Sequence, residues 1–396
     1  MWRAALRSPP TSDDPVTTLT ADHRAYLEEL QASVREKGRL RPVGGGSKPA
    51  LSGWGNLMMG GLSGLLEYDP GEYTFTALAG TPVAEVEALL AEGGQELPFD
   101  PPLVEAGASL GGTVAAGLSG PGRFRYGGVR DFLLGVTFID GRGELLEGGG
   151  KVVKNAAGFD LPKLMVGSAG CLGVLVEVTF KVFPKPAAAS TLRLEATSFA
   201  EAVERMTVLA ASPFELSCLE LEPPVTLWLR IAGLAEALPA RLERLEEAVG
   251  PLGKPFCGEV DARVWREARE FAWAPADHGL VKVPVNPSRL GALEQAVGRL
   301  DTPVPRRYGV GGNVAYLAWP QDLPEECLET LLRGTGLSAM AIRGAWSRPL
   351  LGRLPGGAFA ERVARILDPE GKFAIETRSS GLGGADRLGR RIGSRP

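Results

Sequence analysis

Apolar and polar positions alternate most clearly in the middle of the chain. Val174, Val176, Val178, Phe180 and Val182 fall on one side of an extended segment, and Pro184 and Pro186 end the run. The pattern predicts a strand of about nine residues with one face buried. Upstream, Val83, Val86, Leu89 and Leu90 follow helical spacing. Thr81 offers an N-cap, Pro82 suits the first helical position, and Gly93-Gly94 stops the helix. Short strands are predicted at Arg39–Val43 and Thr74–Leu78. Leu133–Ile139, the turn Asp140-Gly141-Arg142-Gly143 and Glu144–Leu146 predict a hairpin.

Beyond Pro184–Ala189 glycine becomes sparse and helical stripes alternate with strand patterns, so a domain boundary is placed there. Ser198 followed by Glu201 reads as a capping box opening a helix to about Ala210. Leu234, Leu238, Leu242, Leu245 and Val249 form a second helical stripe among charged residues. Strands are predicted at Thr191–Glu195, Leu216–Leu221, Val225–Ile231, Leu280–Val285, Val314–Trp319 and Ala339–Ile342, and a final helix at Ala358–Leu367. The expectation is an antiparallel sheet with helices packed on it. No repeat of solenoid period is visible.

The chain has 396 residues, enough for two or three domains. It is 44% apolar and 23% charged with a net charge of −4, which suits a globular protein and gives no overall pull toward nucleic acid or acidic lipid. No apolar run is long enough to span a bilayer, and Met1–Pro15 does not read as a secretory signal. Cys171, Cys218, Cys257 and Cys327 are scattered, with no C-x-x-C pair, so this chain is not expected to hold an iron–sulfur cluster or a zinc ribbon. A reducing cytoplasm fits that cysteine usage. His23 and His278 are the 2 histidines, which excludes chemistry needing an imidazole cluster.

Glycine changes the picture. There are 53, about 13% against a usual ~7%, and 30 lie between Gly44 and Gly173. Three clusters stand where strands hand over to turns or helices. Gly44-Gly45-Gly46-Ser47-Lys48 can aim successive amides into one concavity suited to a diphosphate, although an ordinary loop has the same composition. In Ser109-Leu110-Gly111-Gly112-Thr113-Val114-Ala115-Ala116-Gly117, small side chains admit a flat ligand, and the amides of Ser109 to Gly112 would be donors; close helix packing is the alternative. The third cluster, Val166 to Gly173, sits between a helix that Asp160 could cap (Leu161 to Met165) and the Val174 strand. Neither the G-x-x-x-x-G-K-[ST] nor the G-x-G-x-x-G spacing occurs at these clusters. Arg123, Arg125, Tyr126, Arg130 and Asp131 add charge nearby, each also explicable as solvated surface. One extended cofactor touched by several loops accounts for three clusters better than three unrelated turns.

The ordered series GGGS, GGTVAAGLSGP, VRDFLLG and KVVKNAAGFDLPKLMVGSAGCLGVL resembles the FAD-binding domain of the vanillyl-alcohol-oxidase (PCMH-type) flavoproteins. Within that group it is most similar to the E subunits of glycolate oxidase. The resemblance is strong over Leu40–Pro184 and reaches weakly to Ile366–Gly371, which is similar to the family's closing helix and turn. It implies an α+β fold: a PCMH-type FAD-binding domain of two α/β subdomains, then a smaller α+β domain with an antiparallel sheet and a C-terminal helix. The expected division is a disordered 1–15, the FAD-binding domain at 16–186, an α+β cap-like domain at 187–350, a helix returning to the FAD domain at 351–376 and a disordered basic tail at 377–396.

The same resemblance implies that Gly44, Gly45, Gly46, Ser47 and Lys48 form the pyrophosphate loop, and that Ser109, Leu110, Gly111 and Gly112 lie beside the diphosphate and ribityl chain. It places Gly170, Gly173, Val174 and Val176 near the adenosine and ribityl end, largely through backbone atoms. Lys154, Asn155 and Asp160 match a family motif without an assigned role. Ser47 stands where some relatives tether the flavin through histidine, so FAD is expected to be noncovalent. The histidine-rich G-H-x-G-D-G-N segment of catalytic subunits is missing; Gly309-Val310-Gly311-Gly312-Asn313 carries no base or metal ligand. Oxidising a 2-hydroxy acid needs a group to take the hydroxyl proton. His278 could serve or be structural, and Arg306 and Arg307 could bind a carboxylate or be solvated.

The resemblance therefore implies an FAD-binding subunit of a glycolate-oxidase complex, cytoplasmic, with any membrane association made through its partners. Those partners would be a catalytic flavoprotein subunit and an iron–sulfur subunit. The alternatives are a self-sufficient FAD-dependent 2-hydroxy-acid dehydrogenase and a scaffold without flavin.

Overall fold

A computed structural model describes residues 19–53, 55–150, 159–250, 253–354 and 356–373. Lys154, Asn155, the N-terminal 1–15 and the tail from Thr377 lie outside the described residues, so the expectations made for them have no structural counterpart here.

The first half is built on a five-stranded antiparallel sheet ordered Leu65–Asp69, Thr74–Leu78, Val174–Lys181, Leu133–Ile139, Leu145–Gly149. The strand expected to bury one face, Val174–Lys181, is the central one and buries both. Val174 and Val176 pack under the N-terminal helix Ala21–Glu36 with Leu27, Leu30 and Phe373, while Leu175, Val178 and Phe180 enter the core of the other face. A central strand has a layer on each side, so alternation alone understates its burial.

Helix Val83–Glu92 has Pro82, not Thr81, at its N-cap position. The Thr81 hydroxyl instead donates to the carbonyl of Leu78 and accepts from the amide of Gly64, stapling the preceding turn. Proline's fixed φ opens this helix without a side-chain cap.

The second half is one nine-stranded sheet of antiparallel pairs. Its order reveals a duplication that the sequence pattern does not show. Ala188–Glu195, helix Phe199–Ala210, Cys218–Glu222, Thr226–Gly233, helix Leu238–Val249 and Phe256–Cys257 form a βαββαβ unit. Gly279–Pro284, helix Pro287–Val297, Arg306–Gly309, Val314–Trp319, helix Glu325–Thr335 and Ser338–Arg343 repeat it. The units meet through their second strands, where Leu221 pairs with Tyr308, so their strand orders mirror one another. At the first helix, Ser198 Oγ accepts from the Glu201 amide as expected, but the Glu201 carboxylate accepts from the Thr197 amide rather than returning to Ser198. That is half of a capping box.

The halves share a core: Phe271, Leu280, Tyr316 and Ile342 pack in one cluster with Phe99, Val114 and Phe132. The last helix, Gly357–Leu367, lies against the Asp140–Gly143 turn, where Gly141 donates its amide to the carbonyl of Leu367 and Leu40 donates to that of Lys372. The Lys372 ammonium donates to the carbonyl of Val34, tying the segment after the last described helix to the helix Ala21–Glu36.

Candidate functional site

The three glycine clusters converge on one trough. Its walls are Val43 to Lys48, then Ser109, Gly111, Gly112, Ala115 and Ala116, then Ser168, Ala169, Gly170 and Gly173, with Leu51, Met59, Ala79 and Leu175 between them. It encloses about 730 Å³ counted to its open mouth.

Each loop is tied to the next by hydrogen bonds. Ser109 caps the helix Leu110–Ala116, its Oγ accepting from the Gly112 amide, and the same oxygen accepts from the Gly45 amide of the first loop. At the other end of that helix, Gly167 donates its amide to the carbonyl of Val114 and Ala169 to that of Ala115, so the third loop closes the helix C-terminus. The buried Arg41 guanidinium donates to the carbonyl of Ala169, linking the third loop back to the start of the first.

The amides divide differently from the expectation. Those of Leu110 and Gly111 donate to the carbonyls of Thr81 and Ala79, and that of Gly112 to Ser109 Oγ. The first two tie the helix to the segment that follows strand Thr74–Leu78, and the third is spent on the helix's own cap. The amides of Gly46 and Ser47 meet no acceptor among the described residues.

Around Val174 and Val176 the expected contact is through backbone, and their side chains, like that of Leu110, face away from the trough. Leu110 belongs to the core of the central sheet, and Val174 and Val176 to the layer under the first helix; the trough wall there is Leu175. The register of Val174–Lys181 decides this, because neighbouring residues of a strand face opposite ways.

Two features fit an anionic cofactor with a long flat body. Lys48 is 6% exposed, its ammonium donates to Ser47 Oγ, and burial pushes its pKa down to about 8. Among the described residues no carboxylate contacts this buried ammonium, the charge of Glu270 only partly offsets its burial, and a diphosphate in the trough would stabilise it. Ser168 Oγ lies on the wall, buried and without a hydrogen-bond partner. The bare glycines 45 and 111 are explained otherwise. A Cβ at Gly45 would stand 1.6 Å from the carbonyl oxygen of Gly107, and one at Gly111 2.8 Å from Ala79 Cβ. Protein packing requires both.

Beyond Ala116 the wall continues into a second cavity against the nine-stranded sheet, lined by Ser119, Arg123, Arg130, Asp131, Gly167 and Lys282. Lys282 is the charged residue of Gly279–Pro284, and a cation in an otherwise apolar strand is the signal by which sequence could have found it. Its ammonium donates to the carbonyl of Gly117, and burial, then Arg123, holds its pKa down at about 8.

The other chemical candidates stand apart from both spaces. His278 Nδ1 is 3.0 Å from an Asp277 carboxylate oxygen. Arg306 is not solvated surface: its guanidinium pairs with Glu294. Arg307 pairs with Glu222 at 2.8 Å and faces Glu220 at 3.7 Å. Both arginines are consumed by carboxylates, Arg306 by Glu294 of the helix Pro287–Val297 and Arg307 by Glu220 and Glu222 of the neighbouring strand. Gly309 to Asn313 forms a short turn of helix rather than a site. All four cysteines are free thiols. No helix among the described residues is long and apolar enough to cross a membrane.

Comparison with known proteins agrees with this geometry. Residues 18–149 match the FAD binding domain family. The chain is 39% identical over 253 residues to glycolate oxidase subunit GlcE of Escherichia coli (strain K12), covering 62% of this chain and 68% of that protein. It is 33% identical over 182 residues to D-2-hydroxyglutarate dehydrogenase of Xanthomonas citri pv. viticola, covering 44% of this chain and 38% of that protein. It is 27% identical over 190 residues to glycolate oxidase subunit GlcD of Bacillus subtilis (strain 168), covering 48% and 38%. Among solved structures, an alkyldihydroxyacetonephosphate synthase matches 89% of this chain and 74% of its own with a TM-score of 0.64 at 16% identity, a likeness of fold.

Proposed function

The chain belongs to the FAD-binding oxidoreductase family of glycolate oxidase subunit GlcE, and from that premise we propose that it is the flavin-holding subunit of a glycolate oxidase complex. FAD is the cofactor of this family of 2-hydroxy-acid oxidoreductases. In this reading the diphosphate lies against Gly44 to Lys48, with the Lys48 ammonium neutralising charge and the Gly46 and Ser47 amides donating. Ser168 and the small-residue wall from Gly111 to Ala116 receive the flat remainder. The flavin is noncovalent, since Ser47 offers no tether.

FAD held by these residues would supply an acceptor for electrons from a 2-hydroxy acid or from a partner's flavin. The chain's own side chains bind and shield it. Neither cavity holds a histidine to take the substrate hydroxyl proton, and His278 is engaged by Asp277 away from both. That favours oxidation on a catalytic flavoprotein partner, with an iron–sulfur partner receiving electrons. The observation that carries the reading is the closure of three distant glycine clusters on one trough beside a buried Lys48.

A second reading, a self-sufficient 2-hydroxy-acid dehydrogenase, is favoured by the cavity of Lys282 and Arg123. Two cations beside the trough suit a substrate carboxylate.

An absorbance spectrum of the purified chain tests both, alone and with glycolate or D-lactate. Flavin bands that stay unbleached by either acid are expected. Bleaching without a partner would favour the second reading, and a protein that neither carries nor takes up FAD would overturn both.

A further inference from the structure

A larger cavity lies elsewhere, on the far side of the one-turn helix Arg123–Tyr126. It opens between the first half of the nine-stranded sheet and the Glu96–Asp100 segment, and encloses about 1450 Å³ counted to its mouth, against 730 Å³ for the trough. Arg123 lines the cation-rich cavity of Lys282, whereas Tyr126 lines this one. One turn of helix therefore separates two spaces of opposite character.

One wall is apolar, made by the connector Pro186–Ala189 and by Leu238, Pro239 and Leu242 of the second helix of the first βαββαβ unit. The floor is polar. Arg230 is the arginine that lines it among the described residues, and its guanidinium is held by Asp261 through three hydrogen bonds of 2.7 to 3.2 Å. Asp261 is further held by the Thr191 hydroxyl. That pair is internally neutral and offers little to an anion. What remains is acidic. The Asp100 carboxylate accepts from the Gly122 amide at 3.3 Å and stands 3.6 Å from Arg269, and Glu96 lies beside it. Lys185 is exposed at the rim.

An apolar wall facing a few convergent polar groups is the usual construction of a small-molecule site. Here the carboxylates are the less compensated groups, because Asp100 shares Arg269 with Glu87, and Glu96 is opposed by the exposed Lys185 and by an Arg230 already held by Asp261; an aromatic ring stands beside them. We propose that this cavity binds a small organic cation, an amine on an apolar body, with the ammonium at Glu96 and Asp100, the body against Leu238 and Leu242, and the Tyr126 ring beside it. Ammonium over an aromatic face adds to the carboxylate attraction. The site is distinct from the flavin trough and its existence does not rest on the flavin reading. A ligand here presses on the same helical turn that carries Arg123 into the neighbouring cavity.

Glu96 also sets the pH at which the site works. Burial and then the charge of Asp100 push its pKa up to about 7, with Glu87 adding repulsion and Arg230 and Lys185 opposing it. Its charged form grows between pH 6 and pH 8, so an amine binds more tightly as pH rises across that range.

The test is calorimetric titration of the full-length protein with hexylamine, hexanoate and hexanol at pH 6 and pH 8. The expected result is that hexylamine binds at least tenfold more tightly than hexanoate at pH 8. Glu96→Gln should remove most of that preference. Cys257 is exposed on the cavity wall, so its modification with a bulky maleimide should block hexylamine, and Cys257→Ser should be immune to that block. This second arm works on the unmutated fold, so it remains decisive if Glu96→Gln folds poorly. Equal binding of hexylamine and hexanoate, or hexylamine binding that survives Cys257 modification, would overturn the proposal.

Discussion

The hydroxyl oxygen of Ser109 accepts from the amide of Gly112 at 3.3 Å and from the amide of Gly45 at 3.4 Å, although Gly45 lies 64 residues earlier in the chain. One side-chain atom thus caps a helix and pins the candidate diphosphate loop against it. Since the same oxygen serves both amides, local helix stability and the shape of the trough are coupled.

Replacing Ser109 with alanine removes both bonds. The loss of an N-cap costs about 1 kcal/mol. Ser109→Ala is expected to lower the melting temperature by a few degrees and to weaken flavin retention. Scanning calorimetry and the flavin-to-protein absorbance ratio check this; an unchanged ratio would detach Ser109 from the trough.

The glycines of the trough are not equivalent. Gly45→Ala drives a methyl group into the Gly107 carbonyl, and Gly111→Ala drives one into Ala79 and its carbonyl. The backbone must move in both, which puts the cost at the upper end of overpacking, about 3 kcal/mol. Gly112→Ala meets only Ser109 Oγ at 3.0 Å, a contact that yields more easily. Urea unfolding of the flavin-free proteins should rank Gly112→Ala well above the other two. Equal stability of all three would refute the packing account.

Lys48 carries a cost that the cofactor relieves. Its pKa is lowered from 10.5 to about 8, and each unit corresponds to 1.36 kcal/mol, so burying its charge costs roughly 3 kcal/mol at neutral pH. In the flavin-free protein the unfolded chain binds more protons between pH 8 and 10.5, so stability should rise with pH across that window. Lys48→Met should stabilise the flavin-free protein at pH 7 while weakening FAD binding. A variant that loses stability at pH 7 would show that Lys48 is not an unpaired charge.

Arg269 holds the two halves together. Its guanidinium makes a two-pronged contact with Glu87, at 2.7 and 3.0 Å, across 182 residues of chain. The following residue, Glu270, accepts from the Val104 amide at 2.8 Å. Arg269 is mostly buried, and deleting one partner of such a pair leaves the other charge uncompensated. Arg269→Ala should cost about 3 kcal/mol, and double mutation with Glu87→Gln should cost less than the sum of the singles. Additive losses in a denaturation cycle would count against a direct clamp.

Much of this protein is legible along the chain. Local signals such as the Asp140–Gly143 turn, the Ser198 cap and the apolar stripes mark elements because each depends on neighbours within a few residues. The three glycine clusters likewise mark, before any coordinates, the stretches that meet at one trough, although packing against Gly107 and Ala79 accounts for two of their glycines. Missed elements have weaker local signals: Arg306–Gly309 has two arginines and a tyrosine in four positions, and its burial depends on Glu294 and Glu222 from elsewhere.

The amino-acid order by itself determined which stretches could bring bare backbone to a cofactor, and that no imidazole cluster accompanies them. Only the tertiary structure decided which amides remain open, that Gly45 and Gly111 answer to Gly107 and Ala79, and that Lys282 stands beside the trough. It also decided that two βαββαβ units face each other through Leu221 and Tyr308. The reason is physical: hydrogen-bond saturation, desolvation and steric contact are properties of pairs, and their partners here lie tens to hundreds of residues away.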